Sequence, residues 1–448
     1  MNVEVETNRI EGESFVIARY RMSELTQSEQ DRILRRAGSD ISAQMEVARE
    51  ICDTVRREGD AALYAYTEAF DGVRLNPGSM RVTEEEIREA TAQVDERTAE
   101  TLRYAAGNIR RFHEAQMPEP MWMMEVDQGI MAGEKVTAIP DVALYVPRGK
   151  GSFPSVLLML GTPAVVAGVA RIIVLTPPNE VGKVDPAILF AADLLGIREI
   201  YKVGGAQAIA AVAYGTETVP KCAKVLGPGN PYVTAAKRLV MGAIDPGVPA
   251  GPSEAIILTD GSIDPRLVAH DVLIEAEHGP DSAALVVTWS AEVADAVEAQ
   301  LRDLMAQIET PMRRSFVETV MRRYGGIVEC DSKDEAIDFV NRYAPEHMEI
   351  LTVDPWAILP RIKHAGEILM GEHTPITLCN FLLGPNAILP TGQMARTVSA
   401  VSLHDFLKRS SIGYVTKEGF QKVAPYAAHF ADLEGFEMHA KAVRGRMK

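Results

Sequence analysis

Two side chains three residues apart, Glu275 and His278, carry the clearest hint of chemistry in this 448-residue chain. They belong to Glu275-Ala-Glu-His278, which closes an apolar-periodic segment, Leu267 to Ile274, before Gly279-Pro280 ends it. Residues at that spacing project from one helical face, so a carboxylate and an imidazole there make half of a divalent-metal site. A solvated helix end accounts for the same two residues, and only the other half of a site decides between the readings. Pro345-Glu-His347, at the head of the strand-like Met348 to Val353, offers an acid/base pair. Neighbouring side chains on a strand point to opposite faces, so Glu346 and His347 reach one atom together only from a turn just before it. A surface Glu beside a half-buried His is the plainer alternative.

Two glycine turns are the next candidates. Gly204-Gly-Ala-Gln207 follows the strand-like Ile200 to Val203, and Gly227-Pro-Gly-Asn230 opens a helix running to Val240. Backbone N–H groups at such helix starts bind anions, yet tight β–α turns need glycine whatever the ligand. Neither matches G-x-G-x-x-G, but two in one α/β unit raise the functional reading. His439, in Glu434-Gly-Phe-Glu-Met-His439, is a lone histidine on a helical stretch, ordinarily a structural role.

The elements that must position these residues follow from periodicity. Ile41 to Glu58 and Glu84 to Gln116 read as helices. From Val136, short apolar runs alternate with helices: strands at Ala143–Pro147, Arg171–Thr176 and Glu199–Val203, helices at Ser155–Ala167 and Pro186–Leu195. A second series runs through Ala255–Thr259, the helix ending at His278, Ala283–Thr288, the helix Ala291–Ile308, Gly326–Cys330 and the helix Lys333–Arg342. The pattern predicts two Rossmann-like α/β domains with parallel sheets, with a helical N-terminal region. Residues 1–142 with 250–385 make the first domain and 143–249 the second, the chain crossing near the Pro- and Gly-rich Pro246 to Ser253. Residues 386–448 are expected as a C-terminal helical arm, most plainly over Lys417 to Lys448.

Composition narrows the class. A hydrophobic fraction of 47% and a charged fraction of 24% are those of a soluble globular protein, and the net charge of −16 argues against nucleic acid or an anionic membrane as partner. The longest apolar run, Ser155 to Val169, is too short to span a bilayer. Met1 to Arg9 lacks the apolar core of a signal peptide, so the expected location is cytoplasmic. Four scattered cysteines show neither C-x-x-C spacing nor a disulfide framework.

Taken in order, several segments resemble the histidinol dehydrogenase family: Leu144-Tyr-Val-Pro147, Val203-Gly-Gly-Ala-Gln-Ala208, Gly227-Pro-Gly-Asn230, Ala250-Gly-Pro-Ser-Glu254, Ala276-Glu-His-Gly-Pro-Asp-Ser282, Ala344-Pro-Glu-His347, Ile388-Leu-Pro-Thr-Gly392 and His439-Ala-Lys-Ala-Val443. The resemblance implies a zinc- and NAD-dependent enzyme that oxidises L-histidinol to L-histidine, in histidine biosynthesis, by two hydride transfers through an aldehyde. It also implies a homodimer with an exchanged C-terminal arm. Carried over, the zinc ligands fall on Glu275, His278, Asn380 and His439, and the acid/base pair on Glu346 and His347. NAD contacts fall on Tyr145, Gln207 and Asn230. Substrate contacts fall on Ser253, His347 and Glu434, the last from the partner, around the metal residues. In this reading His347 takes the alcohol proton, Glu346 activates the water that hydrates the aldehyde, and zinc holds the substrate as a template.

Three departures from the family pattern matter. Glu275 stands where Gln is usual and Asn380 where Asp is usual, so the exchange keeps one carboxylate, one amide and two imidazoles on the metal. Ala387 replaces a His. Phe381 for Tyr and Cys379 for Gly fall in the same segment, so the substrate pocket is where the chain differs most. A pocket that loses polar groups selects a different alcohol, so the rival is a paralogue oxidising another small polar alcohol. A sulfonated diol is an example, since sulfopropanediol dehydrogenases are relatives. A non-catalytic zinc-binding dimer is the rival of another class, and a zinc hydrolase is further off still.

Overall fold

The computed structural model describes residues 15–36, 41–149 and 151–447. Its first strands are β1 (Arg19–Arg21), β2 (Met121–Asp127), β3 (Ile130–Ala138), β4 (Asp141–Tyr145), β5 (Arg171–Leu175), β6 (Glu199–Tyr201) and β7 (Val225–Leu226). They are followed by β8 (Glu254–Thr259), β9 (Ala283–Thr288), β10 (Gly326–Glu329), β11 (His347–Leu351), β12 (Glu367–Met370) and β13 (Leu407–Val415). Two sheets are wholly parallel. The larger has the order β1-β10-β9-β8-β11-β12 and the smaller β6-β5-β4-β7. Each reverses direction once, between β8 and β11 and between β4 and β7, as doubly wound sheets do. The α/β class with parallel sheets is therefore the observed one.

The central strands of the two parallel sheets are short apolar runs buried on both faces. In β4, Val142 and Leu144 pack into one helical layer while Ala143 and Tyr145 pack into the other. In β8, Ala255 and Ile257 face one layer and Ile256 and Leu258 the opposite one. Several crossover helices start with a capping side chain and a proline in the first turn, as at Asp264-Pro265, Asp185-Pro186 and Asn230-Pro231.

Three features differ from the sequence-based expectation. The stretch Glu84 to Gln116 is two helices, Glu84–Gln93 and Glu96–Glu114, because Asp95 turns extended and caps the second by accepting from the Thr98 N–H. Residues 386–448 are helical only in part: β13 pairs antiparallel with β3, which pairs with β2, giving a third sheet. Ile388, Val401 and Phe406 of that stretch enter the core beside the smaller sheet. Helix resumes at Lys417–Leu433 and Glu437–Arg444. The third sheet escaped the periodicity reading because its pairing joins segments far apart in sequence, and every residue of β2 is exposed. No described helix is long and apolar enough to cross a membrane.

Candidate active site

Strand alternation builds the site. Leu351 of β11 and Leu369 of β12 pack into the same layer as Ala255 and Ile257, so His347, Glu349 and Glu367 project there too. That layer holds the helix Pro265–Ala276 and the short helix Ile376–Phe381, through Val268, Val272, Ala276, Ile376 and Cys379. Two acids of the first helix, Asp271 and Glu275, are one turn apart and buried. A cluster of ionisable groups therefore sits beneath the amino ends of β8, β11 and β12.

Glu275 is its centre and is 0% exposed. Its Oε2 lies 2.6 Å from Nδ1 of His278, and its Oε1 accepts at 3.5 Å from Nδ2 of Asn380. Nε2 of His347 is 3.9 Å from Glu275 Oε1 and 3.8 Å from Glu346 Oε1. Ser253 brings its Oγ to 3.0 Å from His278 Nδ1. Burial works against the Glu275 carboxylate, yet the imidazoles of His278 and His347 overcome it and hold its pKa down at about 2. Burial likewise opposes a charged His347, but Glu275, Glu346 and Glu367 raise it to about 10.

Glu346 lies just before β11, in the turn position from which both members of the pair reach inward. Its Oε2 accepts from the Glu254 N–H at 2.9 Å. Burial pushes its carboxyl well above the usual range; His347 opposes the rise, while Glu275 and Glu254 add to it. His347 opposes Glu367 in register across β11 and β12, and its Nδ1 bonds to a Glu367 oxygen. The other Glu367 oxygen accepts from the Cys379 thiol. Burial, then the nearby Glu367, keeps that thiol protonated. Deeper along the strand, burial and the neighbouring Asp271 push Glu349 up, so this pair retains a proton at neutral pH.

Glu254, Arg36 and Glu367 were not singled out by motif reasoning. Arg36 Nε lies 3.2 Å from Glu254 Oε1, its guanidinium stacks 3.6 Å over the Tyr343 ring, and the Gly392 N–H donates to Glu254 at 2.8 Å. The legible signal was an acid heading an otherwise apolar strand: Glu254 before Ala-Ile-Ile-Leu and Glu367 before Ile-Leu-Met. Two expected residues do not join the cluster within one chain. Glu434 and His439 are exposed on the C-terminal helices, where His439 packs its ring 5.0 Å from that of Phe436. Among the described residues, no three His, Cys, Asp or Glu side chains are grouped to hold a metal. The expected donors that do meet are Glu275, His278 and the Asn380 amide.

The three residues expected to contact NAD lie at the carboxyl ends of the smaller sheet. Tyr145 ends β4 and is buried, its hydroxyl accepting at 3.0 Å from the Gly205 N–H. Gln207, in the first turn of the helix Gly205–Tyr214, is 1% exposed, and its Oε1 has no hydrogen-bond partner among the described residues. Asn230 is exposed and caps the helix Pro231–Leu239, accepting from the Tyr232 and Val233 N–H groups. Gly227 has φ +130°, and a Cβ there would meet the Tyr145 carbonyl oxygen at 2.1 Å. Glycine is required at that crossing, at the strand reversal where doubly wound sheets bind ligands. Of the departures, Ala387 packs against the core of the smaller sheet and Phe381 is 48% exposed.

Comparison with known proteins places nearly the whole chain in one family. The family model for histidinol dehydrogenase matches residues 34–447. A histidinol dehydrogenase homolog from Colwellia psychrerythraea is 48% identical over 95% of both chains. A histidinol dehydrogenase from a Synechocystis strain is 47% identical, over 95% of this chain and 98% of its own. The crystal structure of histidinol dehydrogenase from Elizabethkingia anophelis superposes with a TM-score of 0.91 at 33% identity, covering 96% of this chain and 98% of that one. With two doubly wound sheets, a buried Glu–His site and agreement over nearly its whole length, the chain belongs to the histidinol dehydrogenase family, NAD-dependent oxidoreductases that convert an alcohol to an acid.

Proposed function

We propose that the chain oxidises a small polar alcohol through an aldehyde to a carboxylate with NAD+ and zinc, with L-histidinol as the leading substrate and histidine biosynthesis as its setting. The observation that carries this reading is the placement of His347. It is buried, anchored through Nδ1, and turns Nε2 toward Glu275 and Glu346 beside three metal-type donors. In the first step His347 Nε2 accepts the hydroxyl proton while the carbinol hydrogen leaves as hydride, giving the aldehyde. Water then adds to the carbonyl, Glu346 accepting its proton, and the hydrate loses a second hydride to give the carboxylate. One alcohol, one water and two NAD+ thus yield one carboxylate, two NADH and three protons. When bound, zinc would supply a cation that fixes the polar substrate and NAD+ the hydride acceptor, and the added positive charge would favour the basic forms of both His347 and Glu346, neutral imidazole and carboxylate.

The donor chemistry suits zinc. Glu275 offers a carboxylate oxygen, Asn380 an amide oxygen and His278 an imidazole nitrogen. His439 would complete the set from the partner of an arm-exchanged homodimer, and Glu434 would reach the substrate from the same arm. Exposed apolar residues on that arm support this: Tyr426, Phe430, Leu433 and Met438 all face solvent in the single chain. Gln207, with its unsatisfied buried oxygen, and the glycine turns beside Tyr145 and Asn230 suit the cofactor. The location expected of such an enzyme is the cytoplasm.

A second reading, a paralogue acting on another small polar alcohol such as a sulfonated diol, is favoured by Ala387 and Phe381, which offer no polar group. Relatives of nearly equal identity carry both the name histidinol dehydrogenase and the name homolog, so identity does not choose. A screen of amino alcohols and diols on zinc-loaded protein decides. Two NADH per L-histidinol support the first reading, and turnover only with another alcohol overturns it. Failure to bind NAD would favour the non-catalytic dimer.

A further inference from the structure

Glu367 occupies a position that the proposed chemistry does not yet use. It heads β12, directly opposite His347 in the register of two parallel strands, and its side chain is 8% exposed. Its two oxygens are both engaged, one by His347 Nδ1 and one by the Cys379 thiol. Cys379 lies in the helix Ile376–Phe381, next to Asn380, and is fully buried. One carboxylate therefore ties the histidine of β11 to the helix that carries an expected metal donor.

We propose that Glu367 is a positioning residue for His347, and that Cys379 is the residue that holds Glu367 in place. A carboxylate on Nδ1 fixes the ring plane and keeps the proton on that nitrogen, so Nε2 is the atom presented to substrate. Nε2 is then the nitrogen that faces Glu275 and Glu346. Cys379 locks the carboxylate rotamer from the far side, because a buried carboxylate with one oxygen unbonded would be free to turn away. The thiol is what makes this bond, since a residue without a side chain at 379 would leave that Glu367 oxygen unpaired. Asp271 and Glu349 lie in the same layer but make no bond to Nδ1, so the anchor is Glu367 alone among the described residues. The inference rests on His347 being the base, as proposed above.

The test is a set of single variants in the zinc-loaded full chain: Glu367→Ala, Glu367→Gln, Cys379→Ala and Cys379→Ser. Glu367→Ala should lower kcat by roughly 100-fold or more with KM for alcohol and NAD+ unchanged. Glu367→Gln, which still offers an oxygen to Nδ1, should recover much of that loss. Cys379→Ala should cost roughly two- to tenfold and Cys379→Ser less. A second readout needs no turnover: the slowly exchanging Nδ1 proton of His347 in the NMR spectrum, identified by its absence in His347→Asn, should vanish in Glu367→Ala. Wild-type kcat in Glu367→Ala overturns the inference, and so does a lost kcat with the Nδ1 proton still protected. If Glu367→Ala fails to fold, Glu367→Met, which keeps the volume and offers Nδ1 no oxygen, carries the same comparison. Absence of turnover with any alcohol in wild type would sink the dehydrogenase reading, while the NMR signal would still report whether Glu367 anchors the ring.

Discussion

Lys237 is a buried cation whose removal tests how the Gly227 turn, proposed to meet NAD, is held. It sits in the helix Pro231–Leu239, is 8% exposed, and donates at 2.6 Å from Nζ to the Gly227 carbonyl. Burial lowers its pKa from 10.5 to about 8, opposed only weakly by Asp245. A shift of that size corresponds to roughly 3 kcal/mol between the two protonation states. The sign follows from proton counting. Between pH 8 and 10.5 the unfolded chain still binds a proton at Lys237 that the folded chain has released, so folding stability gains from this residue as pH rises.

Lys237→Met deletes the titration and keeps the apolar stem. The difference in unfolding free energy, wild type minus variant, should therefore climb by roughly 3 kcal/mol from pH 7 to pH 10.5. Urea unfolding at four pH values across that range measures it, with the large slope expected for a protein of this size. The same variant frees the Gly227 carbonyl, so KM for NAD+ should rise while kcat holds. Parallel stability curves would refute the titration argument. An unchanged NAD+ KM would separate Lys237 from the cofactor turn.

Three other perturbations probe the site. Glu275→Gln should reduce zinc affinity by roughly 10- to 100-fold, and Asn380→Asp added to it should restore much of the loss; a double variant no better than the singles refutes the exchanged carboxylate. His347→Asn should lower kcat by roughly 100- to 10,000-fold with zinc content by metal analysis unchanged, and loss of zinc would show that the histidine is a ligand and not the base. Gly227→Ala should destabilise by more than about 1 kcal/mol, because its Cβ would meet the Tyr145 carbonyl at 2.1 Å, and it should abolish NAD binding by fluorescence titration; near-native stability would mean that the turn relaxes.

Much of the parallel architecture was legible because a strand buried on both faces is an apolar run bounded by turn residues. Ala283–Thr288 has the same limits in sequence pattern and structure. Pairing between distant segments was not legible. β13 finds β3 only in three dimensions, and β1 joins the larger sheet at its edge by pairing with β10. Within the site, Glu275, His278, Glu346 and His347 were readable as local pairs, because helix and strand spacing limits which neighbours share a face. Glu367 carried one local sign, an acid heading the apolar strand Ile-Leu-Met370, but its pairing was not readable, since its partner His347 is 20 residues away.

The ionisable cluster lies at the edge opposite the one where doubly wound sheets ordinarily place a ligand. Doubly wound sheets ordinarily bind at the carboxyl ends of their strands, at the reversal point. In the smaller sheet the residues proposed to contact NAD lie there, with Tyr145 closing β4 and Gly227 following β7. In the larger sheet the ionisable cluster lies by the reversal point but at the opposite edge. Glu254, His347 and Glu367 are the first residues of β8, β11 and β12, and the helix Pro265–Ala276 brings Glu275 back to that same edge by running antiparallel to the strand it follows. First residues of strands packed under a helical layer are largely buried yet lie at a sheet end, so they can carry charge only when paired. The pairs seen there, Glu254 with Arg36 and His347 with Glu367, meet that demand. A charged residue at the head of an apolar parallel strand is thus a site signal in this fold, and the loop Pro246–Ser253 that delivers β8 to the edge is the segment whose shortening should disturb it first.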